Sequence, residues 1–189
     1  MTPTQRQTFA ENMRAAARLS GQQIAGIRYF LLILDHAGDS RSWDFGGWHA
    51  PTMGVELQTG DGETFSAMWS QYEEWGFGVD LFPGPVTVHL IEEAVHTWVD
   101  VTQHPLWSPF VATPIEVDFR WNDFGTGQPP YPEAVTITTG SDTAWIIAAE
   151  ADHHATTPSF QLGMDDLLVA FDEEFVRATG LDDPSTDPD

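Results

Sequence analysis

The stretch "VELQTGDGETFSAMW", Val55 to Trp69, leaves its backbone little choice. Val55, Leu57 and Thr59 alternate with Glu56 and Gln58, "GDG" reverses the chain, and Phe65, Ala67 and Trp69 alternate with Ser66 and Met68 on the return. A period of two on both sides of a glycine turn is a β-hairpin. Eighty positions on, "VTITTGSDTAWIIAA", Val135 to Ala149, repeats the pattern around Gly140-Ser141. The residues common to both stretches turn the backbone and none performs chemistry, so the repetition is a way of building sheet rather than a duplicated site.

Each hairpin has similar surroundings. "QIAGIRYFLLILD" gives a strand from about Ile24 to Leu34, followed by the turn "DHAGDS" and the aromatic and glycine loop "RSWDFGGWHAP". In the second half "PIEVDFRWND" puts Ile115, Val117, Phe119 and Trp121 on one face, and the loop "FGTGQPPYP" follows. A further short strand is expected over Gly76 to Phe82. Phe9, Met13, Ala16 and Ala17 recur at helical spacing in residues 4 to 19, ahead of the stop "SG". Leu90, Ala94, Val95, Trp98 and Val101 share a helical face, so "VTVHL" reads as a short strand or turn leading into a helix. "HPLWSPFVATP" is a connector whose aromatics plug the end of the core. Near the C-terminus, Asp172 to Thr179 reads as helix, while Leu167 to Phe171 suits a helix or a buried strand. The expected fold is α+β: mostly antiparallel sheet in two similar strand-loop-hairpin meanders, flanked by an N-terminal helix and one or two further helices.

A chain of 189 residues with 41% hydrophobic residues, eight Trp and twelve Phe builds a real core without metal or disulfide. Residues 1 to 181 read as one domain, and the Asp- and Pro-rich "LDDPSTDPD" makes 182 to 189 a disordered acidic tail. The start is too polar for a signal peptide and the longest apolar run too short to cross a bilayer, so a cytoplasmic protein is expected. There is no Cys, which removes thiolate chemistry. The 29 acidic residues outnumber seven basic ones, all Arg, for a net charge of −22. Lacking Lys, the chain has no phosphate-loop or Schiff-base lysine, and seven scattered Arg do not make a nucleic-acid surface. The same charge disfavours anionic membranes.

The second half, "DVTQHPLWSPFVATPIEVDFRW" with "PEAVTITTG", "WIIAAE" and "MDDLLVAFDEE", resembles a pattern seen in small acidic bacterial proteins of unknown function. There a Trp-containing connector leads into a strand, a hairpin and a final apolar strand. The resemblance spans roughly residues 54 to 175, implies that the last apolar run is a strand, and implies no activity. By analogy of size and fold class alone, such proteins include immunity and accessory proteins.

Three groups of residues are candidates for function. In "WDFGGWHAP" and "QYEEWGFG", Trp43, Asp44, Phe45, Trp48, Tyr72, Glu73, Glu74 and Trp75 combine aromatics with carboxylates. That mixture suits a hot spot for a basic protein partner, or else aromatics that cap the open ends of the sheet. On a helix, His89, Glu92 or Glu93, and His96 would converge on a divalent cation. "EADHHA" offers Glu150, Asp152, His153 and His154, although on a strand His153 faces away from the other two. Carboxylate pairs such as Glu73-Glu74, Asp165-Asp166 and Glu173-Glu174 occur throughout an acidic chain and single out no glycosidase site. The leading expectation is a non-catalytic, immunity-like or adaptor-like protein that needs no cofactor and recognises a basic partner. The alternatives are a metal-dependent hydrolase or metal-binding protein, and an acidic DNA mimic.

Overall fold

In a computed structural model, which describes residues 7–32, 42–72, 76–90, 96–122, 130–152 and 159–181, the alternating segments all become strands. Helix α1 (Phe9–Leu19) leads into β1 (Ile24–Leu32), β2 (Trp48–His49), β3 (Gly54–Thr59), β4 (Thr64–Gln71) and β5 (Phe77–Pro83). After the short helix α2 (Val86–His89) come β6 (His96–Asp100), a 3-10 turn at Ser108–Phe110, β7 (Glu116–Asn122), β8 (Tyr131–Thr139), β9 (Asp142–Asp152), β10 (Ser159–Ala170) and helix α3 (Glu173–Thr179).

The strands form two five-stranded antiparallel sheets, ordered β5-β4-β3-β1-β6 and β2-β10-β9-β8-β7. Each contains a four-strand meander, β1-β3-β4-β5 or β7-β8-β9-β10, and each meander has one of the hairpins at its centre. The hairpins close differently. Thr59 pairs with Glu63 around Gly60-Asp61-Gly62, with Gly62 at φ +91°, whereas Thr139 pairs with Asp142 directly across Gly140-Ser141. Of the fifth strands, β6 pairs with β1 at the edge of its own sheet, whereas β2, between β1 and β3 in the chain, is an exchange that pairs with β10 in the opposite sheet.

Alternation puts one face of each sheet into a shared core. Ile27, Tyr29, Leu31, Val55, Leu57, Phe65, Ala67, Val79 and Leu81 meet Val117, Phe119, Val135, Ile137, Ile146, Leu167 and Val169, and the connector adds Trp107 and Phe110. Burying each large side chain contributes about 1.5–3 kcal/mol. The outer faces are partly covered too. Helix α3 lays Val176 over Ile147 and Leu168, while α2 lays Val86 over Phe30, Met68 and Phe82. Where the sheets approach most closely, β5 carries Gly78, because any Cβ there would collide with the Pro132 carbonyl oxygen of β8.

Two elements depart from the expectation. Helix α1 buries Asn12, Ala15, Ala16 and Leu19, leaving Phe9 and Met13 exposed, because Asn12 bonds Asp80 of β5 while Phe9 rests on Trp121. Residues 86–100 reverse the expected order: a single helical turn comes first and a strand second, and edge pairing of His96–Asp100 with β1 overrides the helical spacing. The last apolar run is a strand, the one of its two readings that the resemblance implies, and it is interrupted between Leu162 and Leu167 where Asp165 and Asp166 bulge out of register. The tail at 182–189 lies outside the described residues.

Asp80 is fully buried and accepts from the Gln7 amide at 2.8 Å, from Asn12 Nδ2 at 2.7 Å and from the Tyr72 hydroxyl. Three satisfied donors make this buried carboxylate the pin that fixes α1 to the sheet. Asp80→Ala strands those donors and is expected to cost about 3 kcal/mol or more, against about 1 kcal/mol for Tyr72→Phe, as measured by urea unfolding.

Candidate functional site

Residues Trp43 to Ala50 double back on themselves. The Phe45 amide bonds the Trp48 carbonyl at 3.0 Å, the Ala50 amide bonds the Trp43 carbonyl at 2.8 Å, and Asp44 Oδ1 accepts the Gly46 amide at 2.9 Å, with Gly46 at φ +84°. This tight turn sets Asp44 directly opposite His49. Pairing of β2 with β10 then sends consecutive side chains to opposite faces. Trp48 goes outward among Phe45, Phe160 and Phe175, and His49 goes inward, where it is fully buried. The connector arrives from the other side. The Trp107 amide bonds the His104 carbonyl at 2.9 Å, so His104 and Trp107 sit one turn apart on the same side of the chain.

These loops meet over Tyr29 of β1. Trp107 Nε1 donates to the Tyr29 hydroxyl at 2.5 Å, and that hydroxyl lies 2.7 Å from His49 Nδ1. On the far side of the ring, His49 Nε2 lies 3.9 Å from Asp44 Oδ1, while His104 Nε2 lies 3.4 Å from Asp44 Oδ2. The two imidazoles cross almost perpendicularly with centroids 4.5 Å apart, and Trp43 and Phe171 edge against His49. One ligand atom from each of Asp44, His49 and His104 falls within 4.8 Å of the others. His49 Nε2 is buried and has no hydrogen-bond partner.

Electrostatics divides the roles. Asp44 is held below the usual carboxylate range by the Gly46 amide first and by the His104 contact next, so it is an anion. Burial, and then the neighbouring His104, push His49 down to about 4, so it is neutral near pH 7. Burial raises the Tyr29 phenol well above its ordinary value, and it keeps its proton. The site therefore consists of one carboxylate and two nitrogen donors, with Asp44 exposed and His104 partly so at the mouth.

The sequence candidates are dispersed. Trp48 and Tyr72 are buried, so neither presents its ring to a partner, and Trp43 and Phe45 are half-buried. Glu73, Glu74, Trp75, Glu92, Glu93, His153 and His154 lie outside the described residues. His89 ends α2 against Phe82 and His96 opens β6 against Phe30, with the segment between Leu90 and His96 outside the described residues. Asp152 ends β9, and Glu150 precedes it on the same strand. Asp44 keeps a place in the site, with new companions. His49 and His104 are 55 positions apart, and the only local signal was a histidine beside proline and tryptophan in "WHAP" and "HPLW".

No protein-family model, curated protein or solved structure matches this chain.

The buried imidazole makes stability depend on pH. Unfolded, His49 binds a proton near pH 6.5; folded, it does so only near 4. Its contribution is intact above pH 6.5 and is lost as the pH falls towards 4, by about 3 kcal/mol at most. Urea unfolding of the protein in chelator from pH 7 to 4 is expected to show this loss, and His49→Gln to flatten the corresponding part of the curve.

Proposed function

We propose that this chain is a divalent-metal-binding protein in which Asp44, His49 and His104 hold one ion of the zinc class. The observation that carries this reading is His49 Nε2: a fully buried imidazole nitrogen, unpartnered, facing a carboxylate and a second imidazole. Ligands at about 2.0–2.1 Å from one tetrahedral ion lie about 3.3 Å apart. The 3.4 Å between His104 and Asp44 Oδ2 meets that spacing, whereas His49, 3.9 Å from the other oxygen, Oδ1, in a group whose ligand atoms lie within 4.8 Å of one another, must move inward.

The proton arrangement is the opposing consideration. His104 Nδ1 accepts the Leu106 amide at 3.3 Å, and a Tyr29 hydroxyl that accepts from Trp107 is free to donate to His49 Nδ1. Both contacts favour hydrogens on the two Nε2 atoms, whereas a metal requires their lone pairs. Switching both tautomers leaves the Leu106 N–H and the Tyr29 O–H in need of new acceptors, at about 1–3 kcal/mol each. Zinc binding to the thiolate-containing sites of finger peptides releases about 10–16 kcal/mol, and two nitrogens and a carboxylate need supply only more than about 2–6 kcal/mol to outweigh the switch. Three protein ligands leave a coordination position for water, which a bound ion of this class acidifies. That is the chemistry a metal-dependent hydrolase requires.

Isothermal titration of chelator-stripped protein with Zn²⁺ is expected to give one site per chain. Asp44→Asn and His104→Ala, each altering a ligand at the partly exposed mouth, are expected to weaken it by more than the roughly 10–100-fold typical of outer-shell partners, with His89→Ala unchanged. Binding that is absent, or indifferent to both mouth variants, overturns the reading.

A further inference from the structure

A groove of about 240 Å³ opens beside the histidine cluster, between the connector, the β8–β9 turn and the start of α3. Pro105, Leu106, Trp145 and Phe171 form its apolar walls, and Asp142 and Glu173 add carboxylates. It adjoins the site without being part of it: Phe171 lines the groove and edges His49, and Pro105 and Leu106 directly follow His104. The volume falls below the roughly 300–1,000 Å³ of sites that enclose a whole small molecule, so it fits side chains of a segment lying across it.

We infer that this groove receives a basic peptide segment of a partner protein, with Arg or Lys heads at Asp142 and Glu173 and aliphatic stems along Trp145 and Phe171. Charge complementarity selects that occupant. Asp142 and Glu173 are both exposed, and Asp172 and Glu174 flank the same helix start, which outweighs the roughly half positive charge of a helix N-terminus. Arg177, the basic residue of α3, meets Glu173 only through an exposed pair at 3.3 Å, and such pairs contribute little enough to exchange for a ligand's cation. Trp145 and Phe171 are half-buried, offering ring surface of the kind that long basic side chains cover and that favours cations over its face. The inference stands on the groove alone and requires no metal.

The probe is a fluorescein-labelled short peptide of alternating Arg and Leu, followed by anisotropy at physiological salt with chelator present. Micromolar binding, weakened about tenfold or more by Asp142→Asn/Glu173→Gln and by Trp145→Ala, is the expected result. Glu150→Gln/Asp152→Asn, which removes the same charge at the far end of β9, is expected to leave it unchanged. Equal weakening by that distant pair would mean that net charge alone attracts the peptide, and would overturn the inference. Equal affinity for a peptide of alternating Arg and Gly would overturn it as well, because the apolar walls would be unused. Unchanged thermal unfolding of each variant keeps misfolding from imitating a loss, and zinc titration of the same variants, expected to be normal, separates failure of the groove from failure of the metal centre.

Discussion

The hydrogen bond from Trp107 to Tyr29 is the contact on which much of the rest depends. It is wholly buried and joins a strand of one sheet to the connector, which Thr102 and the Ala112 amide also tie to β1, and the same hydroxyl faces His49 on the loop that pairs with the other sheet. Three segments far apart in sequence thus share one oxygen atom. A buried hydroxyl must find partners, and here each partner sits on a different segment, so a displacement of any one of them leaves a polar group unpaired.

The strand exchange has the same effect at larger scale. Because β2 leaves its neighbours β1 and β3 to pair with β10, the chain crosses the seam between the sheets and must return to it. The turn that presents β2, Trp43 to Ala50, is so tight that Asp44 and His49 face each other. Side-chain alternation at β2 then does the sorting: Trp48 seals the outer face under α3, and the next residue, His49, enters the space between the sheets. A polar residue at that depth carries a desolvation cost, seen in the downward shift of its titration, and it is placed where a carboxylate and a second imidazole meet it.

What was legible in the sequence was whatever depended on period and turn chemistry. Val55 to Trp69 and Val135 to Ala149 declared themselves as hairpins because alternation and glycine turns are local facts. The buried face of α1 was misread because hydrophobic periodicity cannot anticipate that Asn12 is drawn inside by a carboxylate 68 positions away. Residues 96 to 100 carried a helical spacing, yet the open edge of β1 offered a full ladder of backbone bonds, which outweighs a weak intrinsic preference. The site was illegible for the same reason: Tyr29, Asp44, His49 and His104 come together only through strand exchange and a connector fold, and neither leaves a spacing to count.

Net charge explains less than it first suggests. At physiological ionic strength charges separated by more than about 8 Å are largely screened, so most of the −22 does not act at any one point. A cation approaching the crossing loop responds chiefly to Asp44, and one approaching the groove to Asp142 and Glu173 with their helix-start neighbours. The distinction lies in desolvation. Most of the described carboxylates face water, and Asp44 itself is exposed, but it stands against the buried His49 imidazole, around which Trp43, Tyr29 and Phe171 pack. At the few ångström that separate Asp44 from His49 and His104, one carboxylate would act more strongly on a cation held there than many others at a distance. The burial of His49 beside Asp44, more than the total charge, is therefore what sets this cluster apart from the other carboxylates of an acidic chain.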